Sequence, residues 1–254
     1  MPGAVNFKAI SMVDGWRRAW RRAWPAHCLA CGGRGSGGRD LCQACHAGLP
    51  WLGAACLRCA LPLPGPVPLP DPLPGRLCGA CMQTAFDRGR APPEAIHAAF
   101  VYAPPLDRLL PRFKFHGDLA AGRLLAALMR ERAPTLPRDA AIVPVPLHRT
   151  RLRGRGYDQA LELAKPLAVA CGLPLRDDLL RRARATAAQS RLHADQRKRN
   201  LRDAFEVEPE RGLPACAVLV DDVMTTGATL HSAAKALRQA GVARIEAWVC
   251  ARVP

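Results

Sequence analysis

The sequence predicts an α/β protein: a parallel sheet flanked by helices, preceded by a smaller cysteine-ligated metal-binding region. Three observations carry this. A short apolar run, Ala217-Val218-Leu219-Val220, leads into two acids and a threonine–glycine loop; Leu230, Ala233, Ala234 and Leu237 then recur at helical spacing until Gly241. A second apolar run, Ala141-Ile142-Val143, meets an arginine-rich stretch and then a helical pattern reaching about Ala170. Eight of the eleven cysteines stand in four C-x2-C pairs within the first 81 residues.

Composition sets the bounds. A chain of 254 residues has room for one full domain and a smaller one. No run approaches eighteen apolar residues, and arginines interrupt any signal-peptide core near the amino-terminus, so a cytoplasmic location is expected. The net charge of +16 favours polyanionic partners, nucleic acid or anionic lipid. Charge alone does not separate DNA from a highly charged small molecule, and a generally arginine-rich composition would give the same figure.

In chain order, residues 1–24 predict an amphipathic basic helix. Trp16, Trp20 and Trp24 share one face at a spacing of four, with arginines beside them. Such a stripe is most often a packing face; the alternative is peripheral membrane contact or base stacking. Residues 25–85 predict a double zinc ribbon. Each C-x2-C turn offers two thiolates, and tetrahedral Zn²⁺ takes two such turns. Sequential pairing gives Cys28, Cys31, Cys42 and Cys45, then Cys56, Cys59, Cys78 and Cys81; spacing alone admits an interleaved pairing as well. Four sulfurs leave no position for water, so these sites are structural. Proline at every second position from Pro62 to Pro74 predicts an extended, stiff insertion.

The second domain is expected over 95–254. Ile96 to Tyr102 reads as a strand. Asp118 is placed to cap a helix that ends before Pro134. The loop His148-Arg149-Thr150-Arg151-Leu152-Arg153-Gly154-Arg155 follows a strand and suggests an anion site suited to pyrophosphate. Pro166 is expected to bend or interrupt the next helix. Residues 181–202 carry seven arginines and a lysine against one acid, with few apolar anchors, and read as a loop able to close over a site. Strands are expected at 204–207 and 245–249.

The stretch Val220-Asp221-Asp222-Val223-Met224-Thr225-Thr226-Gly227-Ala228-Thr229 is suited to a sugar phosphate. Two carboxylates can accept hydrogen bonds from vicinal ribose hydroxyls. The loop N–H groups, the helix start and three threonine hydroxyls can surround a phosphate. Gly227 permits close approach and positive φ.

These residues resemble the PRPP motif of type I phosphoribosyltransferases. The wider order of motifs is paired C-x2-C ribbons, F-K-F-H-G, V-P-V-P-L-H-R-x-R-x-x-x-R-G-Y-D-Q-A, R-x-x-x-T-x-x-Q, R-x-x-N and V-D-D-V-M-T-T-G-A-T. That order resembles the ComF family of competence-related proteins from about residue 25 onward. The resemblance implies a double zinc ribbon joined to a phosphoribosyltransferase domain with a Rossmann-type parallel sheet. It also implies PRPP binding with Mg²⁺ and a role in natural transformation, with single-stranded DNA and DNA-uptake proteins as partners at the inner face of the membrane. Carried over by motif, Asp221, Asp222, Arg149 and Arg184 would serve catalysis, while Val220 to Thr229, His148, Arg149 and Lys114 would bind PRPP. The reaction would transfer phosphoribosyl to an unknown acceptor and release pyrophosphate. The competing expectation is a non-catalytic PRPP sensor whose zinc ribbons hold single-stranded DNA. The sequence departs from the family pattern in its proline insertion, in Pro166, and in Tyr157-Asp158, where an aromatic-Asn pair is common.

Overall fold

The computed structural model describes residues 26–64, 77–85, 93–183 and 204–254. The expected helix over 1–24, most of the proline insertion, and the segment 184–203 with Arg184 lie outside the described residues. The described residues form two compact units that divide between Leu49 and Pro50.

In the first unit, the bridges His27↔Arg34 and Ser36↔Arg39 fold the first cysteine pair into a knuckle. Helix α1 (Gln43–Ala47) opens with Cys42 as its N-cap, whose Sγ accepts the Cys45 N–H at 3.3 Å.

The second unit begins with a cysteine ribbon that includes helix α2 (Gly79–Ala85). Its α/β part runs through β1 (Ala95–Val101), α3 (Leu106–Phe115), α4 (Leu119–Glu131) and β2 (Ala140–Pro144). Helices α5 (Arg149–Arg155) and α6 (Gln159–Cys171) follow, then β3 (Leu180–Arg182), β4 (Phe205–Val207), β5 (Cys216–Met224), α7 (Ala228–Ala240) and β6 (Arg244–Arg252). The main sheet is parallel throughout, in the order β1-β6-β5-β2; β3 and β4 form a separate antiparallel ribbon. Central strand β5 reads as continuous apolar sequence up to Val220 because both its faces are covered. Ala217 and Leu219 join a core with Leu230, Ala233, Ala234 and Leu237 of α7 and Phe205 of β4. Val218 and Val220 alternate to the other face, where α6 packs on β5 and β2.

Strand β5 is longer than the sequence suggests, and the reason positions the site. Its pairing with β2 stops at Pro144↔Val220, but its pairing with β6 continues through Asp221↔Val249 to Met224↔Arg252. The two acids therefore lie inside β5 yet beyond the end of β2. Pro166 does not interrupt α6. Buried Leu163, Ala164, Leu167 and Ala168 flank it, and packing of that face outweighs the lost hydrogen bond. The arginine-rich stretch after β2 is a short helix, α5, closed by Gly156 at φ 81.

The second cysteine ribbon is built into the sheet. Val101 donates to Pro50 O at 2.9 Å, Leu52 to Ala99 O at 3.0 Å and Ile96 to Leu57 O at 2.8 Å. These bonds cover the outer edge of β1, which would otherwise offer unpaired backbone groups. Arg252 Nε also donates to Cys59 O at 2.8 Å.

Candidate functional site

Both cysteine sets close in chain order. Cys28, Cys31, Cys42 and Cys45 hold their sulfurs within 4.8 Å of one another, and so do Cys56, Cys59, Cys78 and Cys81. The Cys31–Cys42 and Cys59–Cys78 sulfur separations are 3.9 and 3.6 Å. A tetrahedron with Zn–S bonds of about 2.3 Å has edges of about 3.8 Å, so both tetrads fit a zinc ion. This resolves the pairing that spacing left open. Backbone N–H groups help form the thiolates of Cys28 and Cys56. At Cys28 burial acts upward, but N–H groups of Cys42, Cys31 and Ala30 outweigh it and bring the thiol down to about 6.

The second site is a pocket where β5 outruns β2. Lys114, Arg151, Arg155, Arg182, Asp158, Asp221, Asp222 and Thr229 supply its polar lining. Strand alternation splays the two acids. Asp222 shares parity with Val220 and meets α3, where Lys114 Nζ reaches both its oxygens, at 2.9 and 2.8 Å. Asp221 shares parity with Leu219, on the α7 side, where its charge is felt by Arg182 of β3. Its Oδ1 accepts the Asp222 N–H at 2.8 Å. Burial, and then the neighbouring Asp222 charge, push Asp221 up to about 7 against the pull of Lys114.

Asp158 joins two parts of the wall. It caps α6 by accepting the Leu161 N–H, and its other oxygen accepts the Leu147 N–H at 2.7 Å, which anchors the turn after β2. Burial raises its pKa. The cations crowd one another. Arg182 is 7% exposed; burial and then Arg151 lower its pKa, and burial and then Arg155 do the same to Arg151. Guanidinium groups converging in a desolvated site suit a polyanion.

The loop after β5 turns at Gly227, whose φ is 73. A Cβ there would stand 2.6 Å from Met224 Cε and 3.1 Å from the His231 ring. Gly227 is also the N-cap of α7, with no side-chain hydrogen bond at the cap. The first-turn N–H groups of that helix therefore face the loop without a side-chain acceptor from the capping residue. His231 closes the turn through Nδ1, 2.7 Å from Gly227 O.

The structure thus brings together Lys114, Asp221, Asp222, Val223 and Thr229 in one lining. His148 and Arg149 are not part of it. His148 instead caps α5 by accepting the Thr150 N–H, and Arg149 is exposed at the helix start. Arg151 and Arg155, one helical turn apart, present the basic face to the pocket. Arg184, which the sequence analysis named, lies outside the described residues; Arg182, which it passed over, lines the pocket, and the signal available was that R-x-x-x-T-x-x-Q begins at Arg182. Asp158 was visible only as a departure from a motif. No helix among the described residues is long and apolar enough to cross a membrane.

A family model described as a double zinc ribbon domain matches residues 19–82. DNA utilization protein YhgH of Salmonella typhi is 36% identical over 220 residues, covering 84% of this chain and 90% of that protein. Competence protein F of Haemophilus influenzae is 38% identical over 159 residues, covering 59% of this chain and 69% of that one. A solved orotate phosphoribosyltransferase from Aeropyrum pernix aligns at 24% identity and a TM-score of 0.33, over 57% of this chain and 63% of that one. The parallel sheet itself is established by its strand pairing.

Proposed function

The chain belongs to the ComF family, and from that premise we propose that it binds PRPP with Mg²⁺ in the Asp221–Asp222 pocket and acts in the handling of DNA taken up by the cell. One observation carries the ligand assignment. An acidic pair on the part of β5 that outruns β2 shares one pocket with Arg151, Arg155 and Arg182 and with Thr229 at the start of α7. PRPP has this distribution of chemistry: a diol flanked by a diphosphate and a monophosphate.

In this reading, Asp221 and Asp222 accept hydrogen bonds from the ribose hydroxyls. Thr225, Thr226, Gly227, Ala228 and Thr229 hold the 5-phosphate through backbone N–H groups and hydroxyls. Arg151 and Arg155 of α5 and Arg182 of β3 hold the diphosphate, with His148 and Arg149 at the start of α5. Breaking the C1–O bond develops positive charge on the ribose ring and negative charge on the departing pyrophosphate. The carboxylates favour the first and the arginines the second. Mg²⁺, coordinated chiefly by substrate oxygens, supplies further charge neutralisation when bound. The proposed reaction is transfer of phosphoribosyl from C1 of PRPP to a nucleophilic atom of an acceptor, with pyrophosphate as the leaving group.

Relatives named for DNA utilization and competence supply the setting for the DNA role. The +16 charge gives it a physical basis in attraction to phosphates. The test is calorimetric titration of PRPP with Mg²⁺ into zinc-loaded wild type and the Asp221→Ala/Asp222→Ala variant, with pyrophosphate release followed in parallel. Binding lost in a folded variant is the expected result. No binding to folded wild type overturns the reading.

A further inference from the structure

Phe115 is the most exposed aromatic side chain among the described residues' large hydrophobics, at 65%, and it touches Arg155, a residue of the pocket lining. Its position follows from α3. That helix buries Leu106, Leu109, Leu110 and Phe113, so Phe115, two residues past Phe113, points away from the core. Its chain neighbour Lys114 turns into the pocket and holds Asp222. The turn is fixed from behind: Arg112 Nε donates to Asp118 Oδ2 at 2.9 Å, and Asp118 caps α4 through the Ala121 N–H. A rigid turn therefore presents the ring.

A single exposed phenylalanine is ordinary. Here a second observation points to a ligand. The Arg155 guanidinium lies over the Phe115 ring, 5.0 Å from its centroid, and Arg155 is also a wall of the pocket. Arg155 is held in turn by buried Gln159, whose Oε1 accepts from Nη1 at 2.8 Å. The result is a phenyl ring and a guanidinium, both planar and both anchored, at the rim of a site lined for phosphates. A flat π system with an attached or neighbouring anion matches that pair better than an aliphatic group or a bare ion. Bases stack on aromatic rings and on guanidinium planes, and the cation adds attraction for the phosphate that accompanies a base.

We propose that Phe115 and Arg155 form a stacking subsite for one unpaired nucleobase at the mouth of the pocket. The inference rests on the phosphoribosyl-pocket reading for its meaning: it names the class of molecule that comes to lie beside the bound sugar. Two sources share the chemistry, a free base serving as acceptor and a base within single-stranded DNA.

The experiment uses the full-length, zinc-loaded protein and the variants Phe115→Ala and Phe115→Trp. Adenine is titrated by calorimetry, and a short fluorescein-labelled oligodeoxyadenylate by anisotropy, each with and without Mg²⁺ and PRPP. PRPP itself is titrated into every preparation. The subsite predicts roughly tenfold weaker binding of a base-containing probe to Phe115→Ala and recovery in Phe115→Trp. It also predicts an unchanged salt slope, because a neutral ring releases no counterions. Loss confined to the oligonucleotide assigns DNA as the source; loss with adenine assigns a free base. Equal affinities of wild type and Phe115→Ala for both probes, with PRPP still bound, overturn the subsite and leave the pocket reading intact. Base binding that depends on Phe115 without any PRPP binding keeps the subsite and removes the pocket reading.

Discussion

Lys114 Nζ lies 2.9 and 2.8 Å from the two carboxylate oxygens of Asp222, across 108 residues of sequence. The side chains are 27% and 8% exposed, so the pair is partly withdrawn from water. It ties the end of α3 to the strand that carries the acidic pair. A ligand that takes up the Asp222 carboxylate must share it with Lys114 or displace it.

Removing the lysine should therefore affect the fold as well as the pocket. Lys114→Met leaves a buried carboxylate without its cation, at an expected cost of about 1–3 kcal/mol, discounted for the part-exposed lysine. Denaturant unfolding checks this. A variant as stable as wild type would show that Asp222 is satisfied by other means.

Asp221 gives the pH dependence. Burial and the Asp222 charge raise its folded-state pKa from 3.8 to about 7. Between those values the folded protein binds a proton that the unfolded chain releases, so this group makes stability fall as pH rises through the window. Asp221→Asn should then be more stable than wild type above pH about 7, and the difference should close as pH falls toward the ordinary carboxylate range. PRPP binding should move the other way in wild type, strengthening as pH rises through about 7, because the ionised carboxylate is the better acceptor for ribose hydroxyls. A stability difference between the two proteins that does not vary with pH would contradict the assignment.

The loop glycine is constrained by geometry. Gly227 has φ 73, and an added Cβ meets Met224 Cε at 2.6 Å. The methionine end can move aside; the backbone angle cannot change without losing the turn. Gly227→Ala should cost about 1–2 kcal/mol and weaken PRPP binding by more than the stability loss explains. Titration under conditions where the variant remains folded separates the two effects.

The two cysteine tetrads should respond differently to mutation. Cys56→Ser opens the tetrad next to the residues that cover β1, and it should lower the unfolding temperature of the α/β unit and its PRPP affinity together. Cys31→Ser affects the tetrad of the other compact unit and should remove one zinc while leaving PRPP affinity near wild type. Zinc content by elemental analysis, with the same calorimetric titration, reads both. Equal loss of PRPP binding in the two variants would show that the units depend on each other for folding.

The sequence by itself determined the parts of the protein that are local. The C-x2-C pairs, the acidic pair followed by a threonine–glycine loop, the Asp118 cap and the apolar spacing of α7 each work through neighbours a few residues apart, so spacing reveals them. The tertiary structure decided what depends on distant contacts. Sequential closure of the tetrads needed three-dimensional proximity of the sulfurs. The extra length of β5 came from its pairing with β6, and the survival of α6 around Pro166 came from burial of the residues beside the proline. The pocket shows the division most clearly. Asp221 and Asp222, Lys114 and the arginines after β2 were each legible in separate motifs, whereas their meeting in one lining, with Arg182 added, came from α3, α5 and β3 converging on the end of β5. Such convergence is set by the packing of helices on a sheet, which no local spacing encodes.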